Sequence, residues 1–294
     1  MDNTICCLIL NYIDYKETIS CVKNLLNKDI NKNLVIVIVD NNSPNNSFSI
    51  LKNKYKENCN VHVIQSGLNG GYAKGNNFGF RYIRKTFPDI EYTIVMNPDT
   101  RLCSINDISK LRDAFKHDSK LAIVAPVVIL NGKINYKGTA WNVPDCRQIL
   151  KHHCKFIKYD TVQYINEQSP GLVYVDAVQG GFFMIKMKAL LDIGFMDEHT
   201  FMYCEEVLLA KDLQRKGYKE AVLSNVFFEH NHKEKETKIT LRGRINHENN
   251  FWKSRKIYCK KNFGNMSSFQ LFLIHFLNYL YIILTHVIIM VTRK

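Results

Sequence analysis

Three groups of carboxylates stand where this sequence could do chemistry. Asp40 ends an uninterrupted β-branched run within Asp40-Asn41-Asn42-Ser43-Pro44, and Asp99 follows a second apolar run within Asn97-Pro98-Asp99-Thr100. The third group is the adjacent pair Glu205 and Glu206, in Tyr203-Cys204-Glu205-Glu206, preceded by Gly180-Gly181 and by Met196-Asp197-Glu198. Two neighbouring carboxylates in an apolar setting cannot both ionise cheaply, so one pKa rises towards the range of a general base. The same pair also reads as the acidic first turn of a helix running on to Lys216, favoured by the helix dipole. Asp40 and Asp99 read either as turn and capping residues or as members of a site. His230 and His232 follow a further strand signal and are either metal ligands or surface imidazoles.

Between the first two carboxylates lies Asn69-Gly70-Gly71-Tyr72-Ala73-Lys74-Gly75-Asn76-Asn77-Phe78-Gly79, with Gly71, Gly75 and Gly79 four residues apart. On a helix that spacing clears one face, so that a ligand or another backbone can come close. Tight packing of the helix on a sheet accounts for it as well. The run holds neither Gly-Lys-Ser/Thr nor G-x-G-x-x-G, which excludes the common phosphate and dinucleotide loops.

The elements that must position these groups alternate. Strands are expected at Ile5–Leu10, Leu34–Val39, Val61–Ile64 and Tyr92–Met96, with helices at Lys16–Lys28 and Ala73–Arg84. The order implies a doubly wound α/β sheet whose ligands bind beyond the carboxyl ends of the strands. Asp40 and Asp99 fall at that edge. Strand signals return at Leu172–Val178 and Ala221–Phe228, and helix signals at Met187–Ile193 and Glu205–Lys216, while 131–169 is polar and carries no clear pattern.

The 294 residues, 46% hydrophobic and 23% charged, suit one large globular domain with an appendage. A net charge of +13 points to anionic company: nucleotide, phospholipid headgroups or nucleic acid. The basic residues are dispersed and no nucleic-acid module is recognisable, so a nucleic-acid partner is not expected. Nine cysteines, an odd number without C-x-x-C, read as reduced thiols. His152-His153-Cys154 lacks a second half at zinc spacing and reads as a solvated loop. The run Ile5–Leu10, preceded by Asp2, is too short and wrongly flanked for a secretory signal. At the other end Phe269–Val291 has no formal charge and the length of a bilayer crossing. Gln270, His275, Asn278 and His286 interrupt it, so flat interfacial burial or docking on protein are alternatives. Lys253, Arg255, Lys256, Lys260 and Lys261, with Trp252 and Tyr258, read as a basic, aromatic collar for anionic headgroups.

Taken together, the motifs resemble the family 2 glycosyltransferases, above all bacterial rhamnosyltransferase-like enzymes of O-antigen and capsule assembly. The likeness runs over residues 4–260. Its most specific element is Asn69-x-Gly71-x-Ala73-x-Gly75-x-Asn77-x-Gly79, with Asp40, Asn97-Pro98-Asp99 and the segment Gly180-Gly181 to Gly217-Tyr218 in matching order. The resemblance implies a GT-A fold over residues 1–262, a Rossmann-like, mixed, mostly parallel sheet flanked by helices. A membrane-associating apolar helix follows at 263–294. It implies that Asn11, Asp40, Asn69, Gly71, Ala73, Asn77 and Asp99 bind the nucleotide sugar, and that Asp99 and His230 meet a divalent cation, Mg²⁺ or Mn²⁺. Glu206 matches the catalytic base, and Asp197 and Glu205 the acceptor-binding positions. The implied reaction is inverting transfer from a UDP- or dTDP-sugar, rhamnose among the candidates, to a glycan acceptor. That acceptor is expected to be polyprenyl-diphosphate-linked, at the cytoplasmic face of a bacterial inner membrane. The chain departs from the family where Asn97 replaces the first carboxylate of Asp-x-Asp. It departs again at Leu208 and Asp212, where many relatives carry Asp and Arg, so the salt bridge of those relatives is expected to be missing. A sugar-nucleotide pyrophosphorylase would carry a glycine-rich basic loop where Asn11-Tyr12-Ile13-Asp14 stands. A non-catalytic membrane scaffold with the same fold is the other alternative.

Overall fold

The computed structural model describes residues 4–28, 34–145, 148, 164–169, 171–231, 241–263 and 268–292. The expectations for Asp2, His152-His153-Cys154 and His232 lie outside the described residues. Among the described residues, ten strands share one sheet. Its first half is parallel: β3 (Val61–Gln65), β2 (Leu34–Asp40), β1 (Ile5–Asn11) and β4 (Tyr92–Met96) lie side by side in that order. These strands are apolar along nearly their whole length because helices cover both faces. α1 (Tyr15–Lys28) buries Cys21, Val22 and Leu25, and α2 (Ser47–Tyr55) buries Leu51. α3 (Gly71–Thr86) packs on the other face through Ala73, Phe80 and Ile83.

The second half is mixed. Beyond β4 come β11 (Phe182–Lys186), β6 (Leu121–Leu130), β12 (Lys219–His230) and the short β5 (Thr100–Leu102). β11 runs antiparallel to both neighbours, whereas β6 and β12 are parallel to each other. β6 is the longest fully covered strand, yet Pro126 sits inside it, a residue that usually marks an edge. Proline is tolerated because β12 bulges opposite: Leu223 pairs with Pro126 and the next pair is Phe227 with Val127. β11 pairs with β6 only at Ile123 and Val124, so no neighbour needs the missing N–H. The single strand expected at Leu172–Val178 is split at Asp176 into β9 (Leu172–Val175) on the large sheet and β10 (Ala177–Val178), which pairs with β8 (Ala140–Trp141).

Four helices lie on this half: α4 (Asn106–Ala114), α5 (Met187–Asp192), α6 (Glu205–Arg215) and, following β12, α7 (Leu241–Asn262). A last helix, α8 (Ser268–Thr292), packs against α7. Leu208 of α6 joins Tyr258 and Cys259 of α7 and Leu271 of α8 in a small apolar cluster. The ring of Trp252 stacks on His275 at 4.6 Å. The seven cysteines among the described residues are free thiols.

Candidate active site

The carboxyl ends of β1 and β2 lie in register, Asn11 beside Asp40. Asn11 Nδ2 donates to Asp40 Oδ2 at 2.7 Å, Ser43 donates to both carboxylate oxygens through its N–H (2.9 Å) and Oγ (2.7 Å), and Gln65 Nε2 adds a fourth bond at 3.3 Å. Both residues are fully buried. Four donors fill the Asp40 carboxylate, and the pair shapes the turn at the carboxyl ends of β1 and β2. The next residue reaches the cleft. Asn41 Nδ2 donates to Asn69 Oδ1 (3.0 Å) and to the Gly71 carbonyl (3.2 Å).

The glycine run divides by depth. Gly71 opens α3 with φ +86°, and a Cβ there would stand 2.0 Å from the Phe201 carbonyl oxygen. Only glycine admits both the left-handed turn and that approach. Gly75 and Gly79 instead face β1, where a Cβ would come within 2.5 Å of Leu10 and 2.3 Å of Leu8. Those two serve packing of helix on sheet. Ala73 is core, and Asn77 is buried and bonded to Met196 on both its carbonyl (2.8 Å) and its N–H (3.1 Å), with Glu198 Oε1 at 2.9 Å. Neither is exposed. Asn77 holds the start of the loop that leads to Glu205.

β5 and β12 deliver Asp99. Thr100 pairs with His230, the final residue of β12, and Asn231 N–H donates to the Asp99 carbonyl at 2.9 Å. His230 Nε2 stands 3.3 Å from Asp99 Oδ1, so the two expected metal positions are adjacent. The imidazole is buried and its Nδ1 lies 3.0 Å from Gln179 Nε2. Gln179 cannot be turned over, since its Oε1 accepts the Gly181 N–H at 3.0 Å. Gln179 therefore donates to Nδ1, and the ring proton sits on Nε2, pointing to Asp99. In this arrangement the Nε2 edge of His230 lies against the Asp99 carboxylate. Asp99, a hard oxygen donor with a third of its side chain exposed, fits Mg²⁺ or Mn²⁺. The described residues hold no cluster of three potential ligands, so the remaining ligands would be phosphate oxygens and water.

The carboxylate pair sits in the first turn of α6. Two consecutive residues in the left-handed region, Tyr203 (φ 73°) and Cys204 (φ 66°), turn the chain sharply into the helix. Gly180 leaves room for Glu206, since a Cβ there would lie 2.7 Å from Glu206 Oε1. Burial pushes the Glu205 carboxyl up to about 8, and the charge of Glu206 adds to it. Burial raises Glu206 too, opposed by hydrogen bonds from its own N–H and that of Gly180. Glu205 Oε1 is buried without a hydrogen-bond partner. Burial thus holds both carboxyls of the pair up, and Glu206 accepts one more backbone N–H than Glu205.

Both glutamates line a cavity of about 730 Å³. One end is built from Tyr12, Asn41, Asn69, Gly71 and Asn97, and the other from Trp141, Asn142, Phe251, Arg255 and Tyr258. The second group was not expected from the sequence, where Arg255 and Tyr258 read as part of an outward collar. Tyr258 is buried and donates to the Pro144 carbonyl at 2.8 Å, and the Arg255 guanidinium lies 4.3 Å from the Phe251 ring centroid. Helical spacing of 251, 255 and 258 is the signal that places them on one face.

Residues 6–194 match the family model described as glycosyl transferase family 2, well over half of the chain. The chain belongs to that family. Among curated proteins it is similar to the low-salt glycan biosynthesis hexosyltransferase Agl10 of Haloferax volcanii, 27% identical over 68% of this chain and 58% of that protein. It is also similar to the dTDP-rhamnosyl transferase RfbF of Shigella flexneri, 26% identical over 65% of this chain and 57% of that one. The chain thus spans less than three fifths of the length of these relatives. Two solved structures share the fold, which is GT-A. GalNAc-T7, solved with UDP, GalNAc and Mn²⁺, has a TM-score of 0.62 at 14% identity over 82% of this chain and 47% of that one. The mannosyltransferase PcManGT of Pyrobaculum calidifontis, solved with GDP-Man and Mn²⁺, has a TM-score of 0.60 at 12% identity over 95% and 69%.

In this family 2 member Asp197, expected at the acceptor, is otherwise engaged. Its carboxylate takes Lys261 Nζ at 2.6 Å and the His199 N–H at 2.9 Å. Burial alone would raise it, but these partners win and hold it at about 2. Lys261 also reaches Asp212 at 2.7 Å, and Ser254 Oγ donates to the Met202 carbonyl at 2.6 Å. The loop from Met196 to Cys204 is therefore tied to α7 at two points and to α3 through Tyr72 N–H and the Phe201 carbonyl. The salt bridge between positions 208 and 212 is absent, as expected: Leu208 packs in the apolar cluster and Asp212 pairs with Lys261 and Arg215.

Proposed function

We propose that this chain is a metal-dependent, inverting glycosyltransferase acting on a nucleotide-diphosphate sugar, a UDP- or dTDP-sugar. The sugar passes to a hydroxyl of a glycan acceptor carried on a polyprenyl diphosphate, in surface polysaccharide assembly. The site of action is the cytoplasmic face of a bacterial inner membrane. The observation that carries the reading is the position of Glu206, a carboxyl on the wall of the cavity that also holds the Asn69–Gly71 rim and Arg255. The similarity to a dTDP-rhamnosyl transferase favours rhamnose as the donor sugar.

Asn41, Asn69 and Gly71 would receive the nucleotide, and Asn97 the sugar beside it. Trp141, Phe251 and Tyr258 offer aromatic faces for an acceptor ring, and Arg255 and Lys137 are the cations at hand for its diphosphate. Glu206 takes the proton of the acceptor hydroxyl as that oxygen attacks the anomeric carbon from the face opposite the leaving group. A divalent cation held by Asp99 supplies, when bound, neutralisation of the charge left on the nucleotide diphosphate. His230 stands beside Asp99, its Nε2 3.3 Å from the carboxylate.

The α8 helix supports the membrane side. Leu271, Asn278 and Ile282 are buried on one side, whereas Phe269, Phe272, Phe276, Leu284 and Ile288 are each at least half exposed. The segment Phe269–Ile288 has a mean hydropathy of 1.9 and is 18% buried. The helix has one packed side and one open side, which suits the interfacial burial weighed as an alternative to a bilayer crossing.

Replacing Glu206 with Gln should leave donor binding intact, read as thermal stabilisation by UDP- and dTDP-sugars with Mn²⁺, while transfer falls about 10²-fold or more. Normal turnover in Glu206→Gln with loss in Glu205→Gln would assign the base to the wrong carboxylate. Absence of stabilisation by any sugar nucleotide would remove the donor reading.

A further inference from the structure

Beside Glu206 lies a second, much smaller cavity of about 10 Å³, the room of a single water. Tyr72, Glu206 and Glu220 bring polar groups to its wall, which is otherwise apolar: Ile123, Val178, Phe183, Met196 and Leu209. Glu206 thus lines both the active-site cavity and this chamber.

Glu220 is the unusual wall residue. It projects from β12, is 4% exposed, and makes no salt bridge among the described residues. One carboxyl oxygen accepts the Val178 N–H at 3.0 Å, and the other, Oε1, is buried without a hydrogen-bond partner. An ionised carboxylate so placed would cost several kcal/mol, so burial alone keeps Glu220 in its acid form, with an O–H to give.

We propose that Glu220 is a buried positioning acid for the catalytic base: its carboxyl O–H, through one water in the small chamber that both residues line, donates to the Glu206 carboxylate. The inference rests on the reading of Glu206 as the base. It gives Glu206 a fixed donor, which favours its ionised form and fixes the rotamer that faces the acceptor. Tyr72, whose hydroxyl donates to the Gly180 carbonyl at 2.7 Å, completes the water's surroundings. No proton crosses the chamber in the reaction. The acceptor's proton stays on Glu206, and Glu220 keeps its own.

Burial, opposed by the Val178 N–H and reinforced by Asp176 and Glu206, pushes Glu220 up to about 8. The titratable groups facing the chamber and its walls are Glu205 and Glu206 from α6, Tyr72 from α3, Asp176 from the turn between β9 and β10, and Glu220 itself.

The test is a carboxyl ¹³C NMR titration of the full chain labelled on glutamate, with Glu206→Gln and Glu220→Gln assigning the two signals. In Glu220→Leu the Glu206 midpoint should rise by about one pH unit, the loss of one donor to the charged form. In Glu220→Gln, where an amide N–H replaces the O–H, it should stay near the native value. Val178→Ile, whose added methyl fills the chamber, should raise it as Glu220→Leu does, and stands in should the leucine variant fail to fold. An unchanged midpoint in both Glu220→Leu and Val178→Ile would overturn the proposal. So would a lowered midpoint, which would mean Glu220 is charged. The titration reads the carboxyls directly, so full transfer activity in Glu206→Gln would sink the base assignment while leaving this coupling measurable.

Discussion

Gln179 decides what His230 can be. Its amide is locked by the Gly181 N–H, and the lock forces the imidazole proton onto Nε2, facing Asp99. Exchanging that amide for a carboxylate would reverse the tautomer: Nδ1 would carry the proton and donate, and the Nε2 lone pair would turn towards Asp99. Gln179→Glu is accordingly expected to tighten Mn²⁺ binding about tenfold or more, read by electron paramagnetic resonance titration of the free ion. Unchanged affinity would mean that the tautomer is not set by residue 179. At this scale the sequence was legible in part. Asn69, Gly71, Glu205 and Glu206 stand at the cavity, and Asp99 with His230 beside it, because their residue types mark them. Asn11, Asp40 and Asn77 share those types and are bonded within the protein, largely to partners distant in sequence, while Ala73 packs in the core. Nothing in a linear chain shows that Asp40 will meet Ser43, Asn11 and Gln65 at once.

The elements were easier to read where their pattern was uninterrupted. β1, β2, β4, α1 and α3 follow the expected runs to within a few residues. β6 did not announce itself, because Pro126 argues against a central strand unless the bulge opposite is known. The role of α7 was hidden for another reason: its cavity-facing residues are basic and aromatic, which reads equally well as a membrane collar. The structure makes this helix a wall of the site and the anchor of the Met196–Cys204 loop. Lys261→Met should therefore loosen the loop while sparing the donor end: transfer falls several-fold, and stabilisation by sugar nucleotide persists. The same tie has a pH signature. Asp197 titrates at about 2 when folded and near 4 when unfolded. Its contribution to stability is complete above about pH 4 and is lost as pH falls through about 2, because protons then bind the unfolded chain first. Melting temperature in Lys261→Met should fall less steeply across that acid window than in the native chain. Parallel acid limbs would show that the ion pair does not carry the shift.

For the whole molecule, the question is which way the cleft faces. One side of α8 is committed to α7, and the other presents phenylalanine, leucine and isoleucine with no formal charge. Full-length protein is expected to float with vesicles containing anionic lipid. Phe272→Glu combined with Phe276→Glu, two rings stacked on the open side, should abolish flotation and keep donor-induced thermal stabilisation. Flotation of the double variant, or recovery of the native chain as a soluble monomer without vesicles, would show that this face meets something other than lipid. The existence of the tail was plain in the sequence. Its one-sidedness was not, because side chains that pack and side chains that face outward are equally apolar along 269–288.

The order in which a ribosome releases these elements has a consequence of its own. Every residue of the sheet, the donor rim and the carboxylate pair emerges before α7, yet Tyr203 and Cys204 hold a backbone shape that costs about 1–3 kcal/mol each and is held by contacts to α7 and α3. A nascent chain that ends before residue 241 has a donor pocket and a base with no wall behind the acceptor. Such a chain would bind nucleotide sugar without spending it. Under the proposed function, competence would arrive only with the helix that leads to the apolar tail.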